Sequence, residues 1–235
     1  MSEKIVIVGG DAAGMSAASK AKRENPDLEI TVLEKGNWVS YGACGLPYYL
    51  KGEVEDLTEL VAVSPEKFIE ERDIDLRLNH EVTKIIPEKN KCQYRKEEKK
   101  KEIDYDKLLL GTGASPIIPP IKGLENERVF TLHDMNNGKE INNFIKRESP
   151  ASSGIIGGGY VGIEMSEAFH ERGLSVSLFE ALPHVLNSFH EKTSSVVEDH
   201  LRNFIDLHLN SAVDKVERTS MDQMKITTNS QTYEF

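Results

Sequence analysis

Two strand, glycine turn and helix segments constrain the fold of this chain more than any other feature in it. The first runs from Ile5-Val6-Ile7-Val8, a short apolar run of the kind buried in parallel sheets, through Gly9-Gly10-Asp11-Ala12-Ala13-Gly14 into a helical stretch over Met15 to Glu24. The second runs from Ser153-Gly154-Ile155-Ile156 through Gly157-Gly158-Gly159-Tyr160-Val161-Gly162, a complete G-x-G-x-x-G, into a helical pattern over Val161 to Arg172. Turns of this kind let a pyrophosphate approach backbone N–H groups at a helix N-terminus. The spacing predicts two dinucleotide-binding units.

An acidic residue closes each unit. Glu29 to Leu33 reads as a second strand ending at Glu34, 20 residues after Gly14. The strand Leu174 to Phe179 ends at Glu180, 18 residues after Gly162. A carboxylate at that distance accepts hydrogen bonds from a ribose diol and repels a 2′-phosphate, so NADH is expected in preference to NADPH at the second unit. The first turn departs from the pattern: its middle glycine is Asp11, which must point away or narrow the phosphate approach.

Cys44 lies in Ser40-Tyr41-Gly42-Ala43-Cys44-Gly45-Leu46-Pro47-Tyr48-Tyr49, just after the first unit, with no second cysteine nearby. A redox thiol so placed needs an external partner, and its stable oxidised form would be a mixed disulfide with a small thiol or a sulfenic acid.

These residues, with Tyr105-Asp106-Lys107 leading to Gly111-Thr112-Gly113, and Gly157 to Glu164, resemble the N-terminal half of the flavin-dependent pyridine nucleotide-disulfide oxidoreductases. The likeness runs the length of the chain. It is to the single-cysteine branch containing coenzyme A-disulfide reductases, NADH oxidases and peroxidases, and sulfur or polysulfide reductases. It implies an α/β fold of two Rossmann-like three-layer units, both incomplete at the C-terminal side. FAD would bind the first unit and NAD(P)H the second. By this resemblance Cys44 is the redox nucleophile, and Gly9, Gly10, Ala13, Gly14, Glu34, Lys35, Val82, Thr112 and Gly113 hold FAD. Gly157, Gly159, Tyr160, Gly162, Glu164 and Glu180 hold the nicotinamide nucleotide. Tyr160 resembles the aromatic that covers the flavin until nicotinamide displaces it. Glu164, read as lying on the helix's first turn, resembles a carboxylate facing the flavin. The two-cysteine branch uses C-x-x-x-x-C, whereas Val39 and Tyr49 stand five positions either side of Cys44.

The resemblance also separates electron acceptors. Oxidase and peroxidase members carry a histidine in the first turn where Ala12 stands here, so a disulfide of coenzyme A, a persulfide or a polysulfide is expected, with an NADH oxidase or peroxidase using a Cys44 sulfenate, or a truncated non-catalytic nucleotide-binding fragment, as the alternatives. Ser16, Lys20 and Arg23 share one helical stripe. With Ser40 and Arg72 they would contact the coenzyme A-derived substrate and its phosphates, although an ordinary solvated face fits the stripe as well.

Composition agrees with a cytoplasmic enzyme. Of 235 residues 38% are hydrophobic, enough for one large or two modest cores, and 29 Lys+Arg against 39 Asp+Glu give a net charge of −10, which disfavours nucleic acid and anionic membranes as partners. No run reaches membrane-spanning length, and Met1-Ser2-Glu3-Lys4 leads straight into a strand, so no signal segment is expected. Two cysteines make no disulfide framework and suit a reducing compartment.

The motifs place an FAD-type portion over 1–116, a linker and the start of the nucleotide domain over 117–150, and an incomplete nicotinamide domain over 151–235. Arg95 to Glu102 reads as a charged surface hairpin or loop, and Met135 to Arg147 as a polar helix. A further helix is expected over about Glu191 to Asp206, with strands near Ala212 to Arg218 and Met224 to Thr228. The returning Gly-Asp strand and the dimerisation domain through which intact members resemble homodimers find no counterpart before Phe235, so the chain is expected to be a fragment of the family pattern, from a shortened gene or one half of a split pair. Cys92, in a polar stretch, is expected to be an exposed or strand cysteine without a role, Trp38 to pack beside the nucleotide, and the seven histidines show no metal-ligand spacing.

Overall fold

Val6 and Ile7 are both buried, as a strand covered on two faces requires, and they place β1 (Lys4–Val8) inside a parallel sheet. The computed structural model describes residues 2–219 and 223–235 and divides into two compact units. One holds the chain up to Ala43 and Thr58–Ser115; the other holds Cys44–Leu57 and Pro116–Phe235.

In the first unit α1 (Ala12–Glu24) follows β1, then β2 (Glu29–Leu33), β3 (Asp75–Arg77), β4 (Glu81–Ile86), β5 (Lys91–Lys96), β6 (Lys99–Asp104) and β7 (Lys107–Leu110). The parallel sheet has the order β3-β2-β1-β7, and β4-β5-β6 form a separate antiparallel sheet. Met15 and Ala18 of α1 pack on Ile7, Ile30 and Val32, together with Phe68 and Ile74. The charged run is the β5–β6 hairpin, turning at Glu97 with φ 55°. Cys92 is a strand residue and fully buried, because the alternation Lys91, Cys92, Gln93, Tyr94 turns Cys92 and Tyr94 inward.

The second unit contains α2 (Leu46–Lys51), α3 (Met135–Glu148), β8 (Ser152–Ile156), α4 (Tyr160–Glu171), β9 (Ser175–Phe179), α5 (Glu191–Leu201), β10 (Asp206–His208), β11 (Val213–Arg218), β12 (Met224–Thr228) and β13 (Thr232–Glu234). Its parallel sheet has the order β10-β9-β8, and β11-β12-β13 form an antiparallel sheet. Asp134 caps α3 by accepting from the Asn137 N–H, and the Asn137 side chain returns the bond to the Asp134 N–H. The helix expected to reach Asp206 stops at Leu201. Asp206–His208 instead pairs in parallel with Ser177–Phe179, so sheet pairing overrides the helical pattern that precedes it.

His208 is packed among aromatic rings. It stacks on Phe179 at 4.8 Å, its Nδ1 lies 3.2 Å from the Tyr233 hydroxyl, and its Nε2 is buried without a hydrogen-bond partner among the described residues. Burial pushes its pKa below the ordinary histidine value, against the opposing pull of the Asp206 carboxylate. The unfolded chain then binds the proton more readily, so His208's contribution to stability is complete above the ordinary value and is lost as the pH falls from there toward the folded value. The melting temperature is expected to drop between pH 7.5 and 5.5, and His208→Phe to flatten that drop; equal slopes for the two chains would refute the assignment.

Candidate dinucleotide turns and the Cys44 segment

Glycine is required at Gly9, where φ is +104° and an added Cβ would lie 2.1 Å from the Gly111 carbonyl oxygen. Gly9 N–H donates to the Leu33 carbonyl at 2.9 Å, which turns the chain back across the sheet end. Gly14 then lets α1 come against that turn, since a Cβ there would be 1.9 Å from the Gly9 oxygen. Glu34 takes the Gly10 N–H on Oε2 at 2.6 Å and the Gly36 N–H on Oε1 at 2.7 Å. A carboxylate has about four acceptor sites, so Glu34 keeps capacity for a ribose diol.

Asp11 is the N-cap of α1 but makes no side-chain cap bond, and its Oδ1 is buried without a partner among the described residues. The N–H groups of the first turn, which include Ala13, are therefore not served by the Asp11 side chain, and a helix terminus of this kind can take an anion. Backbone bonds hold Glu34 from behind: its N–H donates to the Arg77 carbonyl at 3.0 Å and its carbonyl accepts from His80 at 2.8 Å. This support from 77–80 is missed by sequence reasoning and carries no motif. Lys35 is exposed beside Glu34, Val82 is half-buried in β4 opposite Tyr94, and Thr112 and Gly113 are exposed just after β7.

The second unit repeats this geometry. Gly157 has φ +108° and donates to the Phe179 carbonyl at 2.8 Å, and a Cβ on Gly162 would lie 2.0 Å from the Gly157 oxygen. Glu180 takes the Gly158 N–H on Oε2 at 2.7 Å and the Leu182 N–H on Oε1 at 2.9 Å. Gly159 is the N-cap of α4 and offers no side-chain cap. Tyr160 is 59% exposed and meets Phe189 edge-on at 5.9 Å between ring centroids. Glu164 is the fifth residue of α4, not in its first turn, because the helix starts at Tyr160; the favourable charge at a helix N-terminus fades over that distance. Both cradles, with their uncapped helix termini and carboxylates of spare capacity, fit an adenine dinucleotide.

Before Cys44, Ser40 N–H donates to the Gly10 carbonyl at 3.2 Å, and its own carbonyl accepts from Ala62 at 2.8 Å, with φ +49° at Ser40. The boundary between the units falls between Ala43 and Cys44. After it α2 lies on α3 and α4, where Leu46 sits so close to Gly138 that a Cβ there would be 2.7 Å from Leu46 Cδ2. Arg172 donates to the Leu50 carbonyl at 2.7 Å and to Asn142 Oδ1 at 2.8 Å. Lys51 reaches Glu53 and Glu171, each at 2.8 Å, and these carboxylates hold its pKa above the usual lysine range. Cys44 itself is a free, exposed thiol. Cys92 is buried, and desolvation pushes its pKa up, so it is protonated and shielded where Cys44 is accessible.

Ser16, Lys20 and Arg23 form an exposed stripe on α1, with Lys20 paired to Glu24. Arg72 reaches the same helix, donating to Ser19 Oγ at 2.8 Å while its guanidinium lies 4.8 Å from the centre of the Phe68 ring. Ser40 is placed at the Gly10 turn.

Parallel sheets that carry two glycine turns, each closed by a backbone-bonded glutamate, define a two-unit dinucleotide-binding α/β protein. The chain belongs to the pyridine nucleotide-disulphide oxidoreductase family, whose model matches residues 3–235. It is 37% identical over 218 residues to an NAD(P)H coenzyme A polysulfide/persulfide reductase of Pyrococcus horikoshii, an alignment covering 92% of this chain and 48% of that protein. It is 32% identical over 202 residues to a coenzyme A disulfide reductase of Staphylococcus haemolyticus, covering 84% and 45%. The crystal structure of reduced Bacillus anthracis CoADR-RHD superposes with a TM-score of 0.93 at 31% identity, over all of this chain and 42% of that one. The chain thus spans about half the length of the curated relatives it matches. Among the described residues no helix is long and apolar enough to cross a membrane, and no group of three or more His, Cys, Asp or Glu side chains is placed to hold a metal ion.

Gly159 separates folding from binding. Its backbone is extended, and an added Cβ would meet nothing within 4 Å. Gly159→Ala is expected to leave stability within about 0.5 kcal/mol. If a dinucleotide binds this turn, the same methyl would stand in the path of its pyrophosphate, and NAD(P)H affinity is expected to fall by roughly tenfold or more. Calorimetric titration beside a denaturation curve checks both, and unchanged affinity would remove Gly159 from the site.

Proposed function

We propose that this chain is the FAD- and NADH-binding portion of a flavin-dependent reductase that uses Cys44 to reduce a coenzyme A-derived disulfide, persulfide or polysulfide. The observation that carries the reading is the contrast between the thiols: Cys44 is exposed and the buried Cys92 is withheld from chemistry, so the sulfur that Cys44 engages comes from outside the chain. The names of the relatives supply the acceptor class. Residues 1–116 form the FAD portion, 117–150 the linker and the start of the nucleotide domain, and 151–235 the nicotinamide portion.

In this mechanism Glu34 and the Gly9–Gly14 turn bind the adenosine and pyrophosphate of FAD, with Lys35, Val82, Thr112 and Gly113 beside them. Glu180 and the Gly157–Gly162 turn do the same for NADH, and the Glu180 carboxylate disfavours a 2′-phosphate. The resemblance gives Tyr160 the role of covering the flavin until nicotinamide displaces it and Glu164 that of facing the flavin. When bound, FAD supplies a two-electron relay between nicotinamide and sulfur. The Cys44 thiolate attacks one sulfur of the substrate S–S bond, which breaks as the other sulfur leaves as a thiolate; two electrons then cleave the mixed disulfide, releasing the second thiolate and restoring Cys44. Ser16, Lys20, Arg23, Ser40 and Arg72 hold the substrate's phosphates and thiol arm. Ala12 supplies no hydrogen-bonding side chain for a sulfenate, which favours disulfide over peroxide. A cytoplasmic homodimeric parent fits the resemblance.

The test is the visible spectrum of the purified chain after incubation with FAD and desalting. A retained flavin band that bleaches anaerobically with NADH is expected. A colourless chain, or a band that NADH leaves unchanged, would overturn the assignment of a working flavin site to these 235 residues.

A further inference from the structure

The loop that follows Glu180 is fastened to α5 by a carboxylate that no sequence motif marks, and it packs on the glycine turn. Glu198, on α5, is only 6% exposed, and one of its oxygens receives two bonds from consecutive loop residues: His184 Nδ1 at 3.0 Å and the Val185 N–H at 3.1 Å. Val185 is fully buried and lies so close to the turn that a Cβ on Gly158 would be 2.8 Å from Val185 Cγ1. The next residue, Leu186, takes the uncommon φ of +49° and donates its N–H to the Gly158 carbonyl at 2.9 Å. Asn187 Nδ2 closes the loop on the His184 carbonyl at 2.6 Å. At the other end, Leu182 N–H is bound to Glu180 Oε1.

We infer that Glu198 and His184 are positioning residues for coenzyme selection: they hold the 182–187 loop against Gly158 and so fix the Glu180 carboxylate in the orientation that accepts a ribose diol and rejects a 2′-phosphate. This rests on the proposal that the second turn binds NADH. A buried carboxylate is costly unless hydrogen-bonded, and here the backbone N–H of Val185 and the His184 ring supply the bonds. Removing the acceptor leaves the Val185 N–H buried without a partner, and the strained φ at Leu186 then loses the contacts that impose it. The loop relaxes, Leu182 withdraws from Glu180 Oε1, and the carboxylate, held then by the Gly158 N–H on Oε2 alone, is less firmly aimed at the diol. NADH loses a preformed acceptor, while NADPH loses a repulsion along with it. The loss therefore falls on discrimination and not on nucleotide binding as a whole.

The experiment is titration of the full chain with NADH and separately with NADPH, for the unaltered protein and for Glu198→Leu, Glu198→Gln and His184→Ala. Glu198→Leu is expected to weaken NADH about tenfold and NADPH less than about threefold, so that the preference shrinks. His184→Ala, at a partly exposed side chain, removes one of the two bonds and is expected to move the preference in the same direction by a smaller factor. Glu198→Gln keeps an acceptor oxygen and is expected to preserve the preference. A purely structural role would scale both affinities together, and that result, or unchanged constants in both Glu198→Leu and His184→Ala, overturns the inference. Failure of the unaltered chain to bind NADH overturns the nucleotide proposal itself and this inference with it.

Discussion

Gly14→Ala is expected to destabilise the first unit by about 3–5 kcal/mol and to abolish FAD retention. Helix propensity alone points the other way, since alanine is favoured over glycine inside a helix by about 1 kcal/mol. Sterics decide the sign. The new Cβ would lie 1.9 Å from the Gly9 carbonyl oxygen and 3.0 Å from its carbon, and neither is the far end of a flexible side chain. Gly9 cannot retreat, because its N–H is bound to Leu33 and its own Cβ position is closed by Gly111. The remaining relief is to lift α1 from the sheet, which opens the contact of Met15 and Ala18 with Ile7 and Val32 and leaves a cavity in the core. That movement also carries the uncapped N–H groups of α1 away from the glycine turn. Gly162→Ala, at 2.0 Å from the Gly157 oxygen, should do the same to the second unit. Urea denaturation with flavin absorbance after desalting checks the first case, and a Gly14→Ala chain within 1 kcal/mol of the unaltered one would show that the turn can reshape around a methyl group.

The same steric facts explain what the sequence disclosed. A glycine turn is a local device: Gly9, Gly14, Gly157 and Gly162 are needed by backbone approach within a few residues, so both turns and the strand Glu29–Leu33 are legible from spacing. Features that depend on distant chain are not. Glu198 reads as one more acid on an amphipathic helix, and only the folded loop makes it buried. Asp206–His208 carries too short a pattern to stand against the preceding helix, and pairing with β9 is what extends it. Cys92 was hidden by its lysine and glutamine neighbours, although a period of two already separates it from them. The apolar run Leu46 to Leu50 announces burial without saying against what; the answer, α3 and α4, lies roughly 85 to 110 residues further along the chain.

Cys44→Ser is expected to lower disulfide reduction by on the order of 10³ or more while leaving flavin-mediated electron transfer from NADH to ferricyanide within about twofold. Thiol–disulfide exchange needs a thiolate attacking in line with the S–S bond, and a serine hydroxyl is neither ionised near neutral pH nor able to form the mixed disulfide. The residue is exposed, so the exchange of sulfur for oxygen should change stability by less than about 0.5 kcal/mol, and a loss of activity would not be a loss of fold. Cys92→Ser is the converse control. It puts a hydroxyl among Val6, Leu33, Tyr94 and Tyr105, where it is expected to cost roughly 1–3 kcal/mol without touching the chemistry. Alkylation separates the two thiols without any turnover: iodoacetamide should label Cys44 in the folded chain and reach Cys92 only in denaturant. Equal labelling of both in the folded chain would remove the contrast on which the assignment of Cys44 rests. Full disulfide reductase activity in Cys44→Ser would move the sulfur chemistry away from Cys44.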